Sequence, residues 1–283
     1  MPRPAAAVIF EATRPVLGDR ARNLLPTVHE HFEVTSVLDN LDGPFDPQGA
    51  ELVVAMGGDG TILRSARLMG HNQLPVVAVN LGKLGFLADT PPDSLGESLA
   101  CVADGDRRMV SHLMFECTLG RQGMPESFAP DCRLGLNEAA VLAGEPFRMI
   151  DVELYVDGVL ATTYGCDGLI VSTPVGSTAH NLAVGGPILR KDLEAFVISP
   201  INPHTLTVRP VVDTADRVYE AVVQDPNPGT RLLVDGQVVG PLTPGDRVRV
   251  ERSQAVFQLI ETQPGGYYGT LQEKLGWGRR LRK

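Results

Sequence analysis

The sequence predicts an α/β domain followed by a mostly β domain, and three observations carry that expectation. Up to about residue 105, short continuous apolar runs alternate with helix-like stretches, as in an open sheet buried on both faces. Beyond that point polar and apolar residues alternate, and Asp-Gly pairs at 157–158 and 235–236 separate strand-like runs. At 57–61 a valine-rich run hands over to a helix-like pattern through "GGDGT".

The elements follow in order. "AAAVIF" (5–10), "ELVVAM" (51–56) and "LPVVAVN" (74–80) read as buried strands. "LGDRARNLLPTVHEHF" (17–32) reads as a helix interrupted at Pro26, and "TILRSARLMG" (61–70) as a second helix. The mostly β stretch runs from about 106 to 261 and includes the alternating "DRVRVERSQAVFQLIE". A terminal segment, 262–283, reads as helical over 269–275 and then basic. The expected domains are therefore 1–105, 106–261 and a C-terminal segment, 262–283.

Bulk composition excludes several function classes. The chain has 283 residues, 43% of them hydrophobic and 21% charged, which is ordinary globular composition. No apolar run approaches the ~20 residues that span a bilayer, and the N-terminal apolar patch is too short for a signal peptide. A cytoplasmic protein without membrane partners is expected. The formal net charge of −9 opposes general nucleic-acid binding, which needs a basic face. Cys101, Cys117, Cys132 and Cys166 form no C-x-x-C pair, so reduced, mostly buried thiols are expected. His29, His31, His71 and His112 read as surface or helix residues rather than ligands, and no histidine pair has metal-ligand spacing. The closing "GRRLRK" reads as a solvated tail.

Three motifs carry chemistry. In "GGDGT", Gly57, Gly58 and Gly60 leave the backbone open, Thr61 adds a hydroxyl, and the following helix N-terminus offers amides to an anion. A carboxylate there repels phosphate unless it has a task. Asp59 would either hold Mg²⁺ through water or accept a proton from an attacking hydroxyl; a helix N-cap is the structural alternative. Neither G-x-x-x-x-G-K-[ST] nor G-x-G-x-x-G is present. Asn137-Glu138 interrupts an apolar run and suits vicinal ribose hydroxyls, or else marks a solvated strand end or edge. Arg148 follows as a local cation. In "GCDGLIVSTPVGSTAHNLAVGGPIL", Asp167 precedes an apolar run, and Gly176-Ser177-Thr178 resembles a turn entering a helix that Ser177 or Thr178 would cap. His180 and His204 draw interest through their neighbours.

Taken together, "GGDGT", "NLGKLGFLA", "NE", "DGLIVSTPVGSTAH", "AVGGPI", "SPINPHTLTVRPVV", "DGQ" and "LQEKLGW", in this order, resemble the NAD kinase family along nearly the whole chain. "GGDGT" alone is shared with lipid kinases; the "DGLIVSTP-x-GSTA" run is highly specific. The resemblance implies an N-terminal Rossmann-like α/β domain, a C-terminal β-sandwich-like domain of the NAD kinase/diacylglycerol kinase-like kind, and a terminal segment that packs back on the first domain. It implies transfer of the terminal phosphoryl of ATP, or of polyphosphate, to the adenosine-ribose 2′-hydroxyl of NAD, with Mg²⁺ or another divalent cation. A homodimer or homotetramer is also implied.

Residue by residue, the resemblance makes Asp59 the proton acceptor or orienter of the 2′-hydroxyl, Gly60 a backbone contact to the dinucleotide, and Arg64 a phosphate contact. Asn137 and Glu138 would hold ribose hydroxyls, Arg148 a phosphate, and Asp167 the nicotinamide side. Thr178, Ala179, His180, Asn181, Leu182 and Ala183 would line the adenine pocket, and Asn202 and Gln237 match further contacts. No metal ligands are assigned. The chain departs from the family at His180, commonly tyrosine, at Ala183, commonly serine, at Val175, commonly threonine, and at Gly165, where many members carry a basic or polar side chain. These departures bear on substrate affinity and on NAD against NADH. A lipid kinase would predict a second glycine- and asparagine-rich motif where this chain has "NLGKLGFLA". A dinucleotide-binding sensor would have no use for Asp59.

Overall fold

The computed structural model describes residues 3–82, 85–123, 132–262 and 266–276. Lys83 and Leu84 of "NLGKLGFLA", Trp277 of "LQEKLGW" and the basic tail lie outside the described residues. The chain divides into two compact units: Met1–Ser111 with Phe257–Lys283, and His112–Val256.

The first unit is built on parallel strands. In chain order it contains β1 (Ala5–Phe10), α1 (Pro15–His31), β2 (Glu33–Leu38), β3 (Leu52–Gly57), α2 (Asp59–Met69), β4 (Val76–Asn80) and α3 (Leu95–Ala103). The strand order is β2-β1-β3-β4, all parallel. Every residue of β3 and β4 is buried, which is why their sequences are continuously apolar rather than alternating. Edge strand β2 contains no fully buried residue and its sequence is correspondingly mixed. Helix α1 does not stop at Pro26. The proline removes one amide from the ladder, but Ala21 and Val28 on either side of it are wholly buried in the same core as Leu99 and Val102 of α3. Tertiary burial here outweighs the local helix-breaking cost.

The second unit is built on antiparallel pairings. It holds most of β5 (Arg108–Gly120), then β6 (Cys132–Gly135), β7 (Glu138–Leu142), β8 (Ile150–Val156), β9 (Val159–Cys166), β10 (Gly168–Ser172), the four-residue helix α4 (His180–Ala183), β11 (Ala195–Ile201), β12 (Val211–Thr214), β13 (Tyr219–Val223), β14 (Arg231–Val234), β15 (Gln237–Pro241) and the start of β16 (Arg247–Glu261). One sheet runs β16-β13-β8-β9, with β5 pairing β6 and β16; the other runs β12-β11-β10-β7-β14-β15. Phe115, Val152, Tyr219 and Val250 from the first sheet share one core with Val141, Leu169, Phe196 and Leu232 from the second, so the unit is a sandwich. Both Asp-Gly pairs make the tight turns their chemistry favours. Asp157 and Gly158 have φ 49° and 78°, and Asp235 and Gly236 have φ 47° and 75°.

The end of β16 belongs to the first unit, where Leu259 pairs in parallel with Val76. Helix α5 (Gly266–Leu275) follows, beginning three residues before the expected start, with Leu271 buried.

Two expectations about isolated side chains are corrected. His112 is neither a surface nor a helix residue: it is 1% exposed on β5, and burial lowers its pKa to about 4, helped by the Lys191 charge. The cysteines split evenly. Cys117 and Cys166 are buried, Cys101 and Cys132 exposed, and all four are free thiols.

Candidate active site

In the first unit, β3 ends at Gly57, Gly58 is the N-cap, and Asp59 is the first residue of α2. Asp59 does not cap its own helix. Its carboxylate instead accepts three successive main-chain amides. Oδ2 takes the Phe86 amide at 2.7 Å, and Oδ1 takes those of Leu87 and Ala88 at 2.9 and 3.0 Å. Gly85 permits this approach, because a Cβ there would run into Asp59 Oδ1. A carboxylate has about four lone-pair directions. Oδ1 is doubly occupied and Oδ2 singly, so one acceptor direction on Oδ2 is left for a hydroxyl. Lys274 on α5 comes to the same atom, with Nζ 4.0 Å from Oδ2 and 3.9 Å from the centre of the Phe86 ring.

The glycines of this motif have different reasons. A Cβ on Gly57 would run into the Thr61 side chain, so Gly57 is needed for packing. A Cβ on Gly58 or Gly60 would meet no described atom, although glycine in a helix costs about 0.5–1 kcal/mol against alanine. Their bareness keeps the strand–helix junction accessible.

Arg64 is ion-paired to two carboxylates of the first unit. Nη1 pairs with Glu11 at 2.8 Å and Nη2 with Asp42 at 2.5 Å. Glu11 is a firm partner: the Thr13 hydroxyl and amide, together with Arg64, hold its carboxyl below the usual range. The two terminal nitrogens of the guanidinium expected to meet phosphate thus tie α2 to the segments after β1 and β2, while Nε has no partner among the described residues.

In the second unit Asp235 repeats the three-amide device. From its hairpin turn it accepts the amides of Leu136 at 2.8 Å, Asn137 at 2.7 Å and Glu138 at 3.1 Å, and its own amide donates to the Glu138 carbonyl at 2.9 Å. Glu138 is thus no solvated strand end or edge residue. It opens β7, an inner strand between β14 and β10, and is only 7% exposed. Among the described residues its Oε2 has no hydrogen-bond partner, and burial, with the Asp235 charge second, pushes its carboxyl up to about 8. At neutral pH this acid is protonated and can donate.

The serine- and threonine-rich turn is stitched to the same place. Thr173 Oγ1 donates to the Leu136 carbonyl at 2.6 Å and accepts the Gly176 amide at 3.1 Å. A Cβ on Gly176 would strike the Asn137 carbonyl. Neither Ser177 nor Thr178 caps α4. Ser177 Oγ donates to Pro174 at 2.6 Å and accepts the Leu189 amide at 3.0 Å, and Thr178 Oγ1 donates to Val175 at 3.1 Å. Asn181 is wholly buried: its Nδ2 donates to Ser177 and Pro187, both at 3.1 Å, and its Oδ1 accepts from Ser199 at 2.6 Å. That side chain is a staple for the turn, not a pocket wall. Thr178, Ala179, His180 and Leu182 are half-buried, and Ala183 is exposed.

The remaining expected residues of this unit lie elsewhere. Asn202 Nδ2 donates to Asp167 Oδ2 at 3.0 Å. Strand β10 pairs Ser172 with Glu138 at one end and Gly168 with Leu142 at the other. Asp167 is five residues from Ser172, so it and Glu138 are about 17 Å apart along the strand, at ~3.3 Å per residue. Arg148 is exposed, and its carbonyl accepts from Asn227 at 2.6 Å, on the stretch after the Leu142 end of β7. Gln237 is exposed just past the Asp235-Gly236 turn. Sequence reasoning missed the roles of Asp235, Gly85 and Lys274, although all three lie in or beside stretches it quoted. Among the described residues no group of three or more His, Cys, Asp or Glu could hold a metal ion.

A carboxylate with one acceptor direction left, beside bare glycines and an ammonium, suits the activation of a hydroxyl toward a phosphoryl group. With an α/β unit and a β-sandwich on one chain, this defines a two-domain kinase. Family models narrow the class: the ATP-NAD kinase N-terminal domain matches residues 27–107 and the ATP-NAD kinase C-terminal domain matches 136–262. The chain belongs to the ATP-NAD kinase family. An NAD kinase of Rhodopirellula baltica is 49% identical over 260 residues, 92% of this chain and 82% of that one. One of Geotalea daltonii is 37% identical over 266 residues, 92% and 90% of the two chains. Among solved structures, an NAD kinase from Archaeoglobus fulgidus in complex with ATP has a TM-score of 0.73 at 27% identity, over 96% of this chain and 97% of that one. Yeast NADH kinase complexed with NADH shares the fold, with a TM-score of 0.88 at 21% identity over 100% and 91%.

Proposed function

We propose that the protein transfers the γ-phosphoryl of ATP to the 2′-hydroxyl of the adenosine ribose of NAD, with Asp59 Oδ2 as proton acceptor. The 2′-oxygen forms a bond to the γ-phosphorus as the bond from that phosphorus to the β,γ-bridging oxygen breaks. ADP leaves with that electron pair, and the hydroxyl proton passes to Asp59. The observation that carries this reading is the three-amide grip on Asp59, which fixes the carboxylate and leaves one direction on Oδ2 open. Positioning and charge neutralisation supply most of the catalysis in such a transfer.

On the acceptor side, Asn137 and the Glu138 carboxyl are assigned to ribose hydroxyls, Glu138 as donor. Asp167 with Asn202 is assigned to a second polar group of the same ligand, and the ~17 Å between these two places suits an extended dinucleotide. Thr178, Ala179, His180, Leu182 and Ala183 are assigned to the base, and Arg148 and Gln237 to outer contacts. Gly57, Gly58, Gly60 and Thr61 form the donor-phosphate loop. Asn181 and Arg64 are left out as side-chain contacts because both are committed elsewhere. A divalent cation such as Mg²⁺ would neutralise donor phosphate oxygens. Mg²⁺ is usually held by one or two carboxylates together with substrate phosphates and waters, so the nucleotide's own phosphates would supply much of its shell, with Asp59 the carboxylate at hand.

Polyphosphate as donor and NADH as acceptor are the variants to be compared with ATP and NAD. A homodimer or homotetramer is proposed on the family resemblance, to be checked by light scattering. A cytoplasmic location fits four free thiols, and among the described residues no helix is long and apolar enough to cross a membrane.

The test is NADP formation by the purified chain with NAD, ATP and Mg²⁺, read by an NADP-dependent dehydrogenase. ATP-dependent product is expected. No product with ATP or polyphosphate, and with either NAD or NADH, overturns the reading in favour of a binding protein.

A further inference from the structure

We infer that Lys274, delivered by the C-terminal helix, is a further catalytic residue: its ammonium contacts the phosphoryl group in transit between donor and acceptor. The inference rests on the phosphotransferase reading above and adds a residue to its machinery.

Three observations lead to it. First, the Lys274 side chain is only 19% exposed, yet its ammonium makes no hydrogen bond with the described residues. Its contacts are the 4.0 Å approach to Asp59 Oδ2 and the face of the Phe86 ring. An ammonium carries three donors, and withdrawing one from water without partners is costly. Burial accordingly lowers the pKa of Lys274, with the Asp59 charge opposing that. The partly buried donors are left without a protein partner among the described residues and are open to a ligand.

Second, the cation is aimed at the atom where chemistry is assigned. Oδ2 is the Asp59 oxygen with an acceptor direction left, and it is the oxygen nearest Nζ. Before reaction, carboxylate and ammonium balance one another. Once the 2′-hydroxyl proton has passed to Asp59, the carboxylate charge is gone and the ammonium stands uncompensated beside the new O–P bond. Its field is greatest when the equatorial oxygens of the phosphoryl carry the most charge. That is the differential stabilisation a catalyst needs. Lys274 gives up and takes no proton in this step, so the proton and electron balance of the transfer is unchanged.

Third, the other cation expected here is occupied. Arg64 is shared between Glu11 and Asp42. Within the first unit, Lys274 is the cation that the described contacts bring to Asp59. Helix α5 thus contributes more than packing through Leu271.

The test compares the full chain with Lys274→Ala, Lys274→Met and Lys274→Arg in the NADP-forming assay. It reads kcat and KM for both substrates, thermal midpoint, and response to added methylammonium. Lys274→Ala and Lys274→Met are expected to lower kcat on the order of 10²-fold with NAD KM within about threefold. Lys274→Arg is expected to retain more, and methylammonium to restore part of the Lys274→Ala rate but none of the Lys274→Met rate, where the space is filled. A kcat for Lys274→Met within about threefold of the parent overturns the inference. So does a Lys274→Ala loss that no amine restores, which would mark a packing role. Should Lys274→Ala fail to fold, the kcat of the volume-preserving Lys274→Met decides alone. If the parent forms no NADP, the proposed function falls instead.

Discussion

Asp59 and Asp235 sit in different units and solve the same problem in the same way. Each carboxylate accepts three successive main-chain amides, 86–88 in one case and 136–138 in the other. What differs is the neighbour. Asp59 has an ammonium 4.0 Å away and is 33% exposed. Asp235 faces a second acid, Glu138, buried and held neutral. One carboxylate is balanced by a positive charge and keeps an acceptor direction open. The other spends its charge on holding a strand start and keeping a neighbouring proton in place. The hydrogen bonding is the same in both places, and what differs is the charge set beside it.

The largest expected effect separates the two aspartates by activity. Asp59→Asn should lower kcat by ~10²–10⁴-fold, the usual contribution of a general base, while NAD binding measured by calorimetry changes little. Turnover close to the parent's would remove the distinction altogether. The mirror experiment separates them by stability. Asp235→Ala strands three amides at the start of β7 and should cost about 2–4 kcal/mol in urea unfolding, with weakened NAD binding. An equal loss of stability in Asp59→Asn would show that the two grips are the same kind of device after all.

A pH series sharpens the comparison. Glu138 titrates near 4.5 in a solvated chain and about 8 in the fold. Its pKa is raised on folding, so its favourable contribution is complete below 4.5 and is lost as pH rises through about 8. Across that window Glu138 lowers parent stability by up to about 1.4 kcal/mol per pH unit, and Glu138→Gln should remove that component from a Tm-against-pH series. Superimposable series would mean Glu138 is ionised in the fold. The smallest effect is expected at Arg64. Asp42 is 82% exposed and Glu11 10% exposed, so Arg64→Ala should cost about 1 kcal/mol and change kcat/KM for ATP by no more than about threefold. A loss near that of Asp59→Asn would return Arg64 to the phosphate-binding role.

Local chemistry made much of this molecule legible. Strands β1, β3 and β4 were readable because strands buried on both faces must be apolar at every position. The two Asp-Gly turns were readable because two successive positive φ angles leave few residue choices. The junction at Asp59 was readable because glycine, carboxylate and helix start lie within five residues. The rest depends on residues that meet only in the folded chain. Asp59 and its amides are 27 to 29 residues apart, and Asp235 and its amides 97 to 99. No pattern in "DGQ" says that the aspartate reaches past its own turn. Nothing in "LQEKLGW" says that its lysine meets Asp59. Nor does the spacing of Arg64 from Asp59 reveal that Glu11 and Asp42 claim the guanidinium. Backbone conformation and strand burial are properties of neighbours in sequence. Charge balance, desolvation and the direction of a proton are properties of neighbours in space, and the fold alone assigns those.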